Sequence, residues 1–398
     1  MALSCHAEWK PHKVKQLDGD AVAAGLPAEH QIVSASWQRP TIPHTVSMPY
    51  LVYMPEKDRL LMLAYCDRNP SNAMTLFSDD RGATWSEPQY VHTDAEGKSD
   101  VGIGIGLTYL GRGRMFFAAG SRWFSSDYGE TWGDPLPIPP AAYGGYSPAW
   151  DPCLVDKDPQ TGEVTRLAET GYKEEGEPYP KGWSQAFIRF SRDLGRTWGD
   201  EVVPPEWKGV NEVALARAVN GDIVAACRTD LPKWYMGDLD HYAGLGVSIS
   251  KDDGKTWSKL TVLYEYGRHH PCMVLMPGGD IVMTYVVRLG YPPYAEGIPQ
   301  FGVEAMVSRD NGATWDTDHR FILAQWLGNR NVSLDYAQAQ STASVLMPDG
   351  WILTAFGMGY HSAEQEAGTP GPRDVEIVRW RLPGTGQDAP EATPGATR

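Results

Sequence analysis

SRDLGRTW, Ser191 to Trp198, is the stretch on which the reading of this chain turns. Its pattern, Ser-x-Asp-x-Gly-x-Thr-Trp, returns as SDDRGATW (Ser78–Trp85), SSDYGETW (Ser125–Trp132), SKDDGKTW (Ser250–Trp257) and SRDNGATW (Ser308–Trp315). In such an octet the Ser and Asp side chains can bond nearby backbone amides. Gly supplies a positive φ, and Trp packs the returning strand on its neighbour. A single match carries little weight, but five, starting 47, 66, 59 and 58 residues apart, define a repeated supersecondary unit.

A second repeat surrounds the first. Each unit opens with an apolar run, a turn containing Gly or Asp, and another apolar run. VALARAVNGDIVAACR from Val213, MVLMPGGDIVMTYVVR from Met273 and ASVLMPDGWILTAFG from Ala343 show it plainly. LVYMPEKDRLLMLAYCDR from Leu51, GLTYLGRGRMFFAAGSR from Gly106 and CLVDKDPQTGEVTRLAETGY from Cys153 are looser copies. Six hairpins imply six blades, the last without an octet before its closing strand near VEIVRWRL (Val375–Leu382). The run HQIVSASW (His30–Trp37) is expected to supply the outer strand of that last blade, closing the ring and removing exposed sheet edges. The chain thus reads as all-β: a six-bladed β-propeller of four-stranded antiparallel blades, one domain over residues 1–382. The polar, turn-rich tail 383–398 is expected to be disordered.

Composition agrees. Fifteen Trp, nineteen Tyr, forty-two Gly and thirty-one Pro in 398 residues suit a turn-rich β protein. No apolar stretch is long enough to span a membrane. A formal charge of −15 speaks against nucleic acid and anionic membrane surfaces as partners. Five cysteines without metal-ligand spacing read as small buried residues and favour a reducing compartment. No signal peptide is visible, so a cytoplasmic location is expected, or a secreted or periplasmic one if a leader has been removed. No cofactor and no metal site are expected, because the adjacent His269 and His270 lack a third ligand nearby in sequence.

The octets resemble the Asp-box of the sialidase superfamily. That resemblance, carried directly from about Pro49 to Trp315, implies a six-bladed propeller in which each box joins the third and fourth strands of a blade. It also implies a site at one end of the central axis. The segment NEVALARAVNGDIVAACR (Asn211–Arg228) resembles the family's segment in which a glutamate precedes a strand pair ending in arginine. By that resemblance Glu212 is a catalytic residue that assists a tyrosine, and Arg228 belongs to a triad holding the substrate carboxylate. The pattern departs elsewhere. Ser47 stands where the first triad arginine belongs, RNPSN (Arg68–Asn72) lacks the expected acid beside Asp67, Tyr336 only loosely replaces the tyrosine near Gln340, and Arg288 is the nearest match to the third arginine.

Residues that open the first strand of each blade should meet at the axis. This adds Asp100, Asp151 and the run Arg268-His269-His270 to the candidates. Arg68, Arg122, Arg228 and Arg288, read as ends of second strands, would ring one region and bind an anionic sugar through paired hydrogen bonds. Arg268 and His269 join these as candidate substrate contacts. Because successive residues on a strand face opposite ways, at most one of His269 and His270 should enter the pocket.

Three functions remain open. The first is an exo-acting glycoside hydrolase on a terminal, acidic sugar, with Glu212 and Asp151 sharing the acid–base work. The second is a polysaccharide lyase, in which His269, His270 or Tyr336 removes a proton beside a uronate carboxylate neutralised by Arg268. The third is a glycan-binding propeller without catalysis. The expected partner in each case is an oligosaccharide or polysaccharide.

Overall fold

The computed structural model describes residues 9–17, 29–38, 46–66, 72–142, 150–174, 184–230, 243–289, 301–326, 341–358 and 374–383. Strands β1 (Lys10–Leu17) and β2 (Glu29–Gln38) form a hairpin. Blade one follows as β3 (Val46–Met54), β4 (Arg59–Cys66), β5 (Asn72–Ser78) and β6 (Gln89–Tyr90). Blade two comprises β7 (Ile105–Gly111), β8 (Arg114–Ala119), β9 (Ser121–Ser125) and β10 (Gly133–Pro137). Blade three comprises β11 (Leu154–Lys157), β12 (Val164–Glu174), β13 (Ser184–Ser191) and β14 (Gly199–Val202). Blade four comprises β15 (Val210–Arg217), β16 (Ile223–Thr229), β17 (Gly244–Ser250) and β18 (Thr261–Tyr264). Blade five comprises β19 (Arg268–Leu275), β20 (Ile281–Arg288), β21 (Phe301–Ser308) and β22 (Phe321–Trp326). Blade six joins β23 (Thr342–Leu346), β24 (Ile352–Met358) and β25 (Asp374–Trp380) to β2, which pairs antiparallel with β25 as its outer strand.

The propeller and its closure by an N-terminal strand are therefore as the repeats imply. The strand β1 is an addition that the sequence did not announce. It pairs with β2 along its length and with β22 at Lys15 and Gln16, so blades five and six merge into one nine-stranded sheet. Val14 is fully buried in the core of that junction, Gln16 donates to the His319 carbonyl at 2.9 Å, and His12 Nε2 lies 2.7 Å from the Leu323 carbonyl. The tail expected beyond 383 lies outside the described residues.

Middle strands are buried on both faces because a blade packs against a blade on either side. The seven residues of β16, IVAACRT, are all buried, which is why they read as a run and not as an alternation. Each octet lies between the third and fourth strands of its blade. Its serine Oγ accepts the glycine amide at 2.7–2.9 Å, and its aspartate accepts both the amide and the hydroxyl of the threonine. The residue before each glycine has a φ of 57 to 67°, and the glycine one of 83 to 89°. Glycine is also needed for closeness. A Cβ at Gly129 would lie 2.2 Å from Leu61, one at Gly195 2.9 Å from Phe116, and one at Gly312 2.6 Å from Val224. Gly254 meets Phe190, and Gly82 meets Leu353 across the ring closure. Every octet turn thus docks on the preceding blade.

Candidate active site

The first strands converge on a cavity of about 250 Å³ at the axis, walled by residues from all six blades. Four of these strands carry an irregularity where they open: β3 between Ser47 and Tyr50, β7 between Ile105 and Thr108, β15 between Val210 and Val213, and β19 between His269 and Cys272. Bulges re-aim side chains and gather beside functional sites. In three of them a residue takes positive φ, namely Met48 at 50°, Gly106 at 64° and His270 at 49°. A histidine in that conformation is uncommon and is held there by its surroundings.

The bulge in β19 follows His269 and sets His270 at positive φ, and one histidine of the pair enters the cavity, as alternation implies. Their rings lie 4.5 Å apart, yet His269 is fully buried and only His270 borders the cavity. Behind His270 sits Glu212, raised on the β15 bulge. Its Oε2 is 2.5 Å from His270 Nδ1, and its Oε1 accepts a hydrogen bond from Arg228 Nη1 at 2.7 Å. The same guanidinium nitrogen is 3.5 Å from His270 Nε2. Glu212 and Arg228 are both 5% exposed as side chains. Burial raises the affinity of Glu212 for a proton, but Arg228, His270 and Arg288 outweigh it and bring the carboxyl down to about 2. Burial, aided by the charges of Arg228 and Arg288, brings His270 down to about 4 against the pull of Glu212. The group is thus an ionised glutamate holding a neutral imidazole by its Nδ1 side.

Asp151 stands at the opening of blade three, on the wall of the same cavity. Its Oδ2 is closed off from solvent and makes no hydrogen bond among the described residues. Burial first, then the negative charge of Glu212, push its carboxyl well above the usual carboxylate range. Two carboxyl groups of one site are therefore driven in opposite directions, the arrangement that separates an acid from a base.

Behind the dyad, Asn211 accepts the Glu212 amide at 2.7 Å and donates to Asp230 at 3.0 Å. Asp230 also takes the Ser184 amide at 2.5 Å, and burial pushes it up to about 6. Tyr50, not singled out in the sequence, borders the cavity and donates to the Trp150 carbonyl at 2.7 Å. Burial together with the negative Asp151 and Glu212 holds its phenol well above the usual range. The apolar run MPYLV masked it, although its place beside the first-blade opening was a signal.

The other candidates lie elsewhere. Arg268, at the start of β19, does not border the cavity but pairs with Glu304 at 2.9 Å and stacks over Tyr264. Arg122 is not at the end of a second strand. The tight turn at Gly120 puts it on β9, where it pairs with Glu169, itself held by Arg189 at 2.6 Å. Asp100 is exposed and pairs with His92 at 2.7 Å, five residues before β7 opens at Ile105. Arg288 is buried near enough to act on both Glu212 and His270. Arg68 and Tyr336 lie outside the described residues. Among the described residues no group of three or more His, Cys, Asp or Glu is placed to hold a metal.

Neither a protein-family model nor a curated protein sequence matches the chain. Solved structures do. A Dyadobacter fermentans protein of unknown function aligns with a TM-score of 0.56 at 15% identity, over 86% of this chain and 96% of that one. The Trypanosoma rangeli sialidase aligns with a TM-score of 0.56 at 15% identity, over 86% of this chain and 55% of that one. The NanB sialidase of Streptococcus pneumoniae aligns with a TM-score of 0.53 at 14% identity, over 91% and 72%. This chain therefore spans little more than half the length of the trypanosomal enzyme. At such identities the likeness concerns the fold, and the fold of this chain is that of a sialidase-like six-bladed propeller.

Proposed function

We propose that the protein is a carbohydrate-active enzyme, a glycoside hydrolase that cleaves a terminal sugar in the axial cavity by acid–base chemistry. The observation that carries the reading is that Asp151 and the Glu212-backed His270 border one cavity with opposite proton affinities. In the reaction Asp151 gives its proton to the leaving glycosidic oxygen as the bond from the anomeric carbon breaks. His270 takes a proton from the water that attacks that carbon, and Glu212 stabilises the imidazolium so formed. Arg228 keeps Glu212 ionised throughout.

One observation favours a second reading, a lyase. His270 and not Glu212 is the base that borders the cavity, and an imidazole suits removal of a carbon-bound proton. The test is turnover of a glycan and aryl-glycoside panel by wild type, Asp151→Asn and His270→Gln. Saturated reducing sugar, lost in both variants, supports hydrolysis. An unsaturated product moves the chemistry to elimination, and wild-type rates in both variants would remove the reading.

A further inference from the structure

We infer that the axial cavity takes one neutral sugar unit and not a uronate or a sialic acid. The inference rests on the hydrolase reading and names its substrate class. Among the described residues the cavity wall contains no lysine and no arginine. The arginines expected to ring the site are engaged in the protein's own interior: Arg228 by Glu212, Arg268 by Glu304, Arg122 by Glu169. Arg288 is 2% exposed and is not free. A substrate carboxylate drawn toward Arg228 would meet a guanidinium that is 4% exposed, is absent from the cavity wall and already gives Nη1 to the Glu212 carboxylate at 2.7 Å. It would also face that carboxylate as a like charge, and breaking such a pair is strongly unfavourable.

What the wall does offer suits an uncharged ring. Tyr50, Leu107, Trp150 and Leu215 present apolar surface for the C–H face of a sugar, and Ser341 and Thr342 border the same space. At about 250 Å³ the cavity falls below the roughly 300–1,000 Å³ of sites for larger ligands, which fits a single sugar unit.

The test is calorimetric titration of the intact protein near neutral pH with matched monosaccharides: galactose against galacturonate, glucose against glucuronate, and N-acetylneuraminate. The neutral member of at least one pair should bind about tenfold more tightly than its acid, and Trp150→Ala should weaken the binding of both members. Tighter binding of a uronate or of N-acetylneuraminate overturns the inference, and so does a failure of every neutral sugar to bind. Binding needs no turnover. The cavity's preference is thus read even if Asp151→Asn and His270→Gln leave the rates of the panel unchanged.

Discussion

Glu212 Oε2 lies 2.5 Å from His270 Nδ1, although the two residues are brought to the axis by different blades and each sits on a bulged first strand. The contact favours the tautomer with its proton on Nδ1, and the Arg228 Nη1 donor 3.5 Å from Nε2 favours a lone pair there. The carboxylate is shared with Arg228, so the dyad is oriented from both ends. Removing either partner leaves the other buried and uncompensated.

Replacing Glu212 by Gln should therefore act on rate and stability together. The imidazolium formed in the reaction loses its counter-charge, and kcat should fall by about 10²–10⁴-fold. Arg228 is left as a buried cation, costing about 3–5 kcal/mol. Chemical denaturation beside steady-state kinetics measures both. A variant as stable and as active as wild type would show that the dyad is incidental.

The pH dependence follows from the same contact. His270 binds its proton less readily in the folded protein, at about 4, than in the unfolded chain near 6.5. Between these values the unfolded state holds more protons, so the contribution of His270 to stability is complete above about 6.5 and is lost as pH falls toward 4. Glu212 adds to the loss between 4.5 and about 2. Asp151, whose affinity is raised, works the opposite way and contributes most at low pH. Stability measured against pH for wild type and His270→Gln should differ in slope through the upper window, with the variant flatter. Activity should persist down to about pH 4, where the base becomes protonated.

An octet glycine meets two demands, a positive φ and a close neighbour, and comparison with a turn glycine outside the octets separates them. Gly120 has a φ of 70° with open space around its missing Cβ, so Gly120→Ala should cost about 1–2 kcal/mol for the backbone alone. Gly129 has a φ of 83° and would place a Cβ 2.2 Å from Leu61, adding about 1–3 kcal/mol of overpacking. Denaturation midpoints compared at equal slope should rank wild type above Gly120→Ala and both above Gly129→Ala.

Val14 anchors β1 between blades five and six. Its burial contributes about 1.5–3 kcal/mol, and Val14→Asp would force a carboxylate into that core. Loss of cooperative unfolding, or a fall of several °C in melting temperature, is the expected result in differential scanning calorimetry. An unchanged transition would mean that the strand is ornamental.

The repeats made the fold legible because a turn that needs Ser, Asp, Gly and Thr at set positions leaves a mark that burial does not blur. Glu212, Arg228 and His270 were reachable by laying one hairpin on the next. Position along a blade is not direction, however. Arg268 begins the right strand and faces Glu304, while a tight turn at Gly120 shifts Arg122 into the third strand and out of the expected ring. The bulges that turn His270 into the cavity leave no signature in a chain where φ is not written. Strand β1, KPHKVKQL, is too polar and too short to declare itself, and owes its existence to partners more than three hundred residues away in sequence.

That separation bears on how the molecule comes into being. The octet turns staple each blade to the one before it, so most seams can form as the chain lengthens. Blade six has no octet to staple it to blade five, and the strand that crosses this seam is β1, paired to β22 on one side and to β2 on the other. The earliest strand must therefore wait for late ones before it finds its place, and contacts so distant along the chain are slow to form. Until then β22, β1 and β25 present open sheet edges to their surroundings, and chaperone dependence during synthesis should concentrate on this last closure.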